Sequence, residues 1–69
     1  MKISARNMLK GRVKSVSHGV VNSEITVELP GGDLIVSIIT KTSAENLGLV
    51  PGKQVYTAIK ASNVTIATE

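Results

Sequence analysis

The sequence predicts an all-β protein: a five-stranded barrel with one short helix between strands 3 and 4. Val, Ile and Thr are abundant, and their branched β-carbons favour strands. Several stretches alternate apolar and polar residues, the period expected of a half-buried strand. One stretch between them instead carries a hydroxyl residue and a Glu at the spacing that starts a helix.

The first two strands are predicted over 9–17 and 21–29. Gly11 lies inside the first strand, where a glycine indicates a bulge or a close approach of backbone. His18 and Gly19 form a candidate turn after it. The second strand has one apolar face and one polar face that is expected to contact solvent. Its inward positions are Val21, Ser23, Ile25, Val27 and Leu29.

The third strand, 34–40, is apolar on both faces and therefore needs cover on both. In so small a domain we expect the second cover to come from another subunit. Thr42 and Glu45 have the spacing of a capping box, which predicts a short helix ending near Leu47. Gly48 is the expected stop.

Two more strands are predicted over 55–60 and 63–67. The order strand, strand, strand, helix, strand, strand is typical of an OB-like barrel. At this length the chain, residues 1–69, is expected to form a single domain.

The composition excludes several kinds of site and indicates the charge of a ligand. Cysteine is absent and there is one His, so disulfides, thiolate–metal sites and His-rich metal sites are excluded. Small domains without disulfides or structural metal sites often oligomerise, which buries more of their apolar surface. The net charge of +3 favours anionic ligands. No apolar run has the length of a membrane span or a signal peptide, so we expect a cytoplasmic protein without membrane association.

Catalysis is not expected. A general acid–base pair needs two titratable groups in one cleft, whereas each acidic residue here has a structural assignment on a polar strand face, in a turn, in the capping box or at the terminus. Ser17 and His18 are neighbours in a strand, so their side chains point to opposite faces. The acidic residues are Glu24, Glu28, Asp33, Glu45 and Glu69.

Anion binding has better support. Residues 1–7 and residues 60–62 each place a cation beside small hydroxyl side chains, and neither segment contains a carboxylate. Arg6 offers a planar fork of donors and Lys60 an ammonium group. The predicted helix start adds backbone N–H groups, together with the hydroxyls of Thr40, Thr42 and Ser43. Ordinary capping and solvated surface cations remain the alternative for each feature taken singly.

Nucleic acid is the other partner to consider, because OB-like barrels often bind it. Binders of single strands stack bases on aromatic side chains, and here Tyr56 is the only ring. The Lys and Arg residues are also scattered along the chain. An OB-type interaction or nucleic-acid-binding module therefore stays an alternative, and nucleic acid is not the favoured partner.

A set of short motifs is spread over essentially the whole chain. They are Ser4-Ala5-Arg6-Asn7 with Leu9-Lys10-Gly11, Gly19-Val20-Val21, Ile38-Ile39-Thr40 with Ser43, Leu47-Gly48-Leu49 with Gly52, and Ile59-Lys60-Ala61-Ser62 with Val64. In this combination the chain resembles the molbindin family, the small molybdate-binding Mop domains. Met8 departs from the family pattern, in which Gln is common.

The resemblance implies an OB-like barrel that assembles as a hexamer, a trimer of dimers, and binds molybdate or tungstate between subunits. Because cations and hydroxyls occur together without a carboxylate, and no DNA-binding or ATPase segment is found in the sequence, we expect a role in intracellular molybdenum storage or homeostasis without catalysis. An oxyanion-sensing accessory domain of a transporter or regulator is the alternative. Carried across by position, the oxyanion ligands would be Ser4, Ala5, Arg6, Thr40, Ser43, Lys60 and Ala61. A second site near the threefold axis would involve His18, Gly19, Val20 and Ser62.

Overall fold

The computed structural model describes residues 3–69. The elements of this range are β1 (Asn7–His18), β2 (Asn22–Glu28), β3 (Leu34–Thr40), α1 (Lys41–Asn46), β4 (Gln54–Ile59) and a 3₁₀ turn (Ala61–Asn63). The strands form one antiparallel sheet in the order β3-β2-β1-β4. The short helix connects β3 to β4, as the sequence predicts.

β1 is the strand on which the others are assembled. Its first half pairs with β4 and its second half with β2, and Arg12 pairs with Gln54 on one side and Glu28 on the other. The register with β2 shifts between Val13 and Ser15. A bulge of this kind bends a strand and increases its twist, so the sheet curls round its apolar face.

The core lies on the concave face of the curled sheet. Ala44 of α1 covers one end of it and is 1% exposed. The strand residues at its centre are Val13, Ile25 and Val27. Half-buried side chains extend it outward, and these are Val16, Ile35, Ile39, Leu49 and Val55. The predicted inward face of β2 is thus confirmed from Ser23 to Val27, whereas Val21 lies outside the strand and is exposed.

Gly11 is required by a close approach of backbone. A β-carbon at this position would lie 2.7 Å from Val27 Cγ1 and 2.8 Å from the carbonyl oxygen of Glu28. No side chain fits at those distances. The prediction from sequence is confirmed as a close approach, and the bulge itself lies further along β1.

The capping prediction for α1 was wrong in its position. Thr40, whose backbone is extended, is the N-cap, and its Oγ1 accepts a hydrogen bond from the backbone N–H of Ser43 at 3.1 Å. Thr42 lies inside the helix instead. The end is as predicted, because Gly48 adopts a left-handed conformation with φ of 63°. Lys53 Nζ donates to the carbonyl oxygen of Leu47 at 2.6 Å.

The fifth strand predicted over 63–67 is not formed within the chain. After the 3₁₀ turn, residues 64–69 have no regular structure and are exposed. A strand needs a neighbouring edge for its N–H and C=O groups, and this segment lies on neither free edge of the sheet. Residues 3–69 therefore give a four-stranded sheet, and the predicted five-stranded closure is wrong for the single chain.

The consequence is an open apolar cleft of about 610 Å³. It lies between the two edge strands and is lined from one side by Ile35, Ser37 and Ile39 of β3 and from the other by Val55, Thr57 and Ile59 of β4. No helix within residues 3–69 has the length and apolar character needed to cross a bilayer.

Candidate functional site

The β1–β4 ladder ends at the pair Asn7 and Ile59. Asn7 Nδ2 also donates to the carbonyl oxygen of Ile59 at 3.2 Å. Residues 4–6 lead into Asn7 and residues 60–62 follow Ile59, so both segments join the sheet at this last pair. The two cation-bearing segments, far apart in sequence, therefore leave the sheet side by side, and we call them together the cationic end.

The cationic end consists of hydrogen-bond donors. Arg6 and Lys60 each adjoin one member of the last ladder pair, and both are exposed. Hydroxyls come from Ser4 and Ser62, and the half-buried Ala5 offers backbone N–H. Because neither segment contains a carboxylate, nothing within them neutralises the two like charges. An anion held between them would relieve their repulsion.

Thr40 and Ser43 form a separate hydroxyl pair. Thr40 Oγ1 donates to Ser43 Oγ at 2.8 Å while it accepts from the Ser43 backbone, so the Thr40 hydroxyl is used in capping. The hydrogen of the Ser43 hydroxyl is left to donate outward. The pair lies next to Asn22, the ladder partner of Thr40, and so near the His18 end of β1.

A single chain does not bring the hydroxyl pair to the cationic end. The two groups lie at opposite ends of β1, whose 12 residues have a contour of about 36 Å. Within residues 3–69 no hydrogen bond joins residues 4–6 or 60–62 to Thr40 or Ser43. The seven ligands expected from the sequence are thus divided into two sets.

The residues expected for a second site are divided in the same way. His18, Gly19 and Val20 lie at the β1–β2 hairpin, where Val20 is 94% exposed and Gly19 N–H donates to Asn22 O at 2.7 Å. Ser62 lies at the cationic end. One chain therefore gathers three of the four, and Ser62 is separated from them.

Sequence reasoning missed the partner of His18. His18 Nδ1 lies 2.6 Å from Ser23 Oγ, and Ser23 is 1% exposed. Only the pairing of β1 with β2 reveals this contact, because it sets Ser23 opposite His18. Spacing along the chain carries no such signal. Ser23 is too buried to meet a substrate, and the contact closes the hairpin. In residues 3–69 no cluster of three His, Cys, Asp or Glu side chains is placed to hold a metal cation.

Comparison with known proteins identifies the family. Residues 3–66 match the TOBE domain. Molybdenum-pterin-binding protein 3 of Clostridium pasteurianum is 46% identical over 66 residues, which cover 96% of this chain and 97% of that protein. The chain belongs to the molbindin family.

Solved molbindin structures share the fold. A molybdate binding protein from Sporomusa ovata superposes with a TM-score of 0.92 at 37% identity, covering 99% of this chain and 100% of the other. The cytoplasmic molybdate-binding protein ModG, with molybdate bound, gives a TM-score of 0.90 at 48% identity. That alignment covers 94% of this chain and 46% of ModG, so the molbindin unit also occurs as part of a longer chain.

Proposed function

We propose that this chain binds molybdate or tungstate between subunits and serves intracellular molybdenum storage or homeostasis in the cytoplasm, without catalysis. The observation that carries the proposal is the cationic end, where Arg6 and Lys60 flank the last rung of the β1–β4 ladder with hydroxyls and no carboxylate. Molybdate at neutral pH is a tetrahedral dianion whose oxygens accept hydrogen bonds and donate none. The related proteins described as molybdate-binding support the same ligand.

The donors are sufficient in number for useful affinity. A micromolar dissociation constant corresponds to about 8 kcal/mol, and a hydrogen bond to a charged group contributes roughly 1.5–3 kcal/mol. About six such bonds leave a surplus after ordering costs. Ser4, Arg6, Lys60 and the backbone at Ala5 and Ala61 provide much of this set from one chain.

The remaining donors are proposed to come from a second subunit. Because Thr40 and Ser43 lie at the other end of β1 from the cationic end, a complete shell requires one end from each of two chains. Two copies related by a twofold axis would then form two equivalent sites. We propose the same sharing for His18, Gly19, Val20 and Ser62 at a second kind of site.

The surface of the chain supports oligomerisation. A compact monomer of this mass exposes about 4,100 Å², whereas the chain exposes 5381 Å². The excess of about 1,300 Å² exceeds the roughly 800 Å² that each partner buries in an ordinary interface. Large apolar side chains contribute to the exposed surface, as the sequence predicts for the second face of β3, where Leu34, Val36 and Ile38 are all exposed.

The open cleft between β3 and β4 also supports oligomerisation. The segment 63–67 keeps the alternation of a strand, with Val64 and Ile66 exposed on the chain that carries them. The cleft between β3 and β4 has two free edges and an apolar floor. We propose that this segment of a neighbouring copy completes a five-stranded OB-like barrel over residues 1–69, within a hexamer built as a trimer of dimers.

A shell made of donors also selects among anions. Phosphate monoanion keeps a proton for which such a shell has no acceptor, and an unsatisfied buried donor is costly. Sulfate satisfies the same donors and is distinguished by the size of the cavity alone.

Titration calorimetry of the assembled protein tests the proposal. Molybdate is expected to bind with micromolar or better affinity, tungstate similarly, and phosphate at least a hundredfold more weakly. Sulfate serves as the matched ligand, since it has the same charge and shape in a smaller size. Absence of heat with molybdate, or equal binding of sulfate, would show that the proposed ligand is wrong.

An accessory sensing role is the second candidate, and one observation favours it. In the molybdenum transport protein ModE of Azotobacter vinelandii, a unit 44% identical to this chain makes up 26% of the length, so the unit also occurs within a protein named for molybdenum transport. Co-purification of this chain with a transporter or regulator subunit would support sensing over storage.

A further inference from the structure

The side chain of Asn7 forms a hydrogen bond across the β1–β4 ladder and is not among the residues expected to bind the anion. It is half-buried, and its amide Nδ2 donates to the carbonyl oxygen of Ile59, its own ladder partner. Asn7 immediately follows Arg6 in the sequence, and Ile59 immediately precedes Lys60. The bond therefore joins the two strands at the point where the two cationic segments separate from the sheet.

We propose that Asn7 is a positioning residue of the oxyanion site: its amide holds the Arg6 segment beside the Lys60 segment before the ligand arrives. This inference rests on the proposed function. The amide itself is directed to Ile59, so it acts through the backbone and not by contact with the anion.

The physical reason is the instability of a ladder end that carries like charges. The last rung of a sheet frays most readily, and repulsion between Arg6 and Lys60 adds to the tendency of the segments to separate. A side-chain bond across the final pair opposes both effects. Holding donors in place before binding lowers the ordering cost that binding must overcome.

The chain contains a matched control for this bond. Thr57 Oγ1 donates to the carbonyl oxygen of Leu9 at 3.2 Å, the same distance as the Asn7 bond. Both are partly buried bonds from a side chain to the backbone, across the same pair of strands. They differ in place, because the Leu9–Thr57 pair lies two rungs further inside the sheet.

The test compares Asn7→Ala with Thr57→Val in the assembled protein, because Val removes the hydroxyl but keeps the volume of Thr57 in the lining of the cleft. Both are expected to lower the melting temperature by similar amounts, since each loses one such bond. Only Asn7→Ala is expected to weaken molybdate binding in calorimetry, by about fivefold. It is also expected to reduce the ¹⁵N heteronuclear NOE of the Arg6 and Lys60 amides in ligand-free protein. Asn7→Ser, too short to reach Ile59 O, is the second variant if Asn7→Ala does not fold.

The outcomes separate this inference from the proposed function. If the unaltered protein binds molybdate and Asn7→Ala binds equally well, or Thr57→Val loses as much affinity, the positioning role is overturned. If the unaltered protein does not bind molybdate, the proposed function fails, and the NOE comparison still decides about Asn7. Unchanged NOE values at Arg6 and Lys60 in the Asn7 variants would then overturn the positioning role.

Discussion

Arg6 and Lys60 are placed at the same end of the sheet although they lie near opposite ends of the chain. The last pair of the β1–β4 ladder, Asn7 and Ile59, adjoins both of them, and both remain exposed. Arg6 has the greater capacity for recognition, because its guanidinium presents several donors in one plane to the oxygens of a tetrahedral anion. Lys60 contributes a point charge.

Replacing Arg6 tests the cationic end at the level of one side chain. Arg6→Ala is expected to weaken molybdate binding by about 2 kcal/mol or more, roughly 30-fold, because a charged donor is lost. Calorimetry measures the change. Arg12→Ala is the matched control, since Arg12 is an exposed arginine inside β1 whose ladder partners are Gln54 and Glu28. Equal losses in both variants would mean that general charge, and not this site, attracts the anion.

At the scale of elements, β1 determines how the site is arranged. It is long enough to pair with two different strands, and its bulge between Val13 and Ser15 curls the sheet. One end of β1 carries Arg6 and the other end lies near Thr40. A site composed of both sets must therefore be shared, whatever the details of its coordination.

The close approach at Gly11 gives a prediction for the stability of the sheet. Gly11→Ala would place a β-carbon 2.8 Å from the carbonyl oxygen of Glu28, and overpacking against backbone costs about 2 kcal/mol or more. Thermal or denaturant unfolding measures the loss. Gly31→Ala is the control, because nothing lies within 4 Å of the corresponding position, and it is expected to change stability by less than about 0.5 kcal/mol. A Gly11→Ala protein as stable as the unaltered one would contradict the contact.

At the scale of the whole molecule, the single chain is incomplete in two respects. It leaves an apolar cleft open between β3 and β4, and it divides the expected ligands between two ends. Both deficiencies are met by other copies of the chain in the proposed assembly.

Subunit mixing tests whether the site is shared. Arg6→Ala and Ser43→Ala chains, each defective alone, are expected to recover binding when unfolded together and reassembled. In a mixed pair, one of the two sites receives Arg6 from one chain and Ser43 from the other, and so has every ligand. Calorimetry should then show a fraction of sites with unaltered affinity. If mixtures bind no better than the average of the two variants, then either one chain supplies both residues to a site, or the two residues belong to different sites.

A single charge in the C-terminal segment tests closure of the barrel. Ile66 is 83% exposed on its own chain, so Ile66→Asp is expected to change the folding of a protomer little. Burial of that carboxylate in a neighbour's apolar cleft would be costly, and native mass spectrometry should show smaller assemblies. Thr65→Asp, on the other side of the same segment, is the control and is expected to retain the full mass. An unchanged mass for Ile66→Asp would exclude this segment from the interface.

The sequence by itself determined the all-β class, the helix between the third and fourth strands, the alternation of β2 and the donor chemistry of the two terminal segments. These properties are local, because side-chain period, turn residues and the absence of carboxylates are readable along the chain. The TOBE-domain match and the relatives named for molybdenum confirm the family that the motifs indicated.

Only the tertiary structure decided how those pieces meet. Strand pairing sets His18 beside Ser23 and brings residues 4–6 and 60–62 to one end of the sheet. The end of β3 makes Thr40, and not Thr42, the cap of the helix. Register is fixed by packing between residues distant in sequence, which no local pattern contains. The prediction of a fifth strand within the chain was wrong for the same reason. Segment 63–67 has the alternation of a strand, but such a segment forms a strand only beside an edge that accepts its hydrogen bonds.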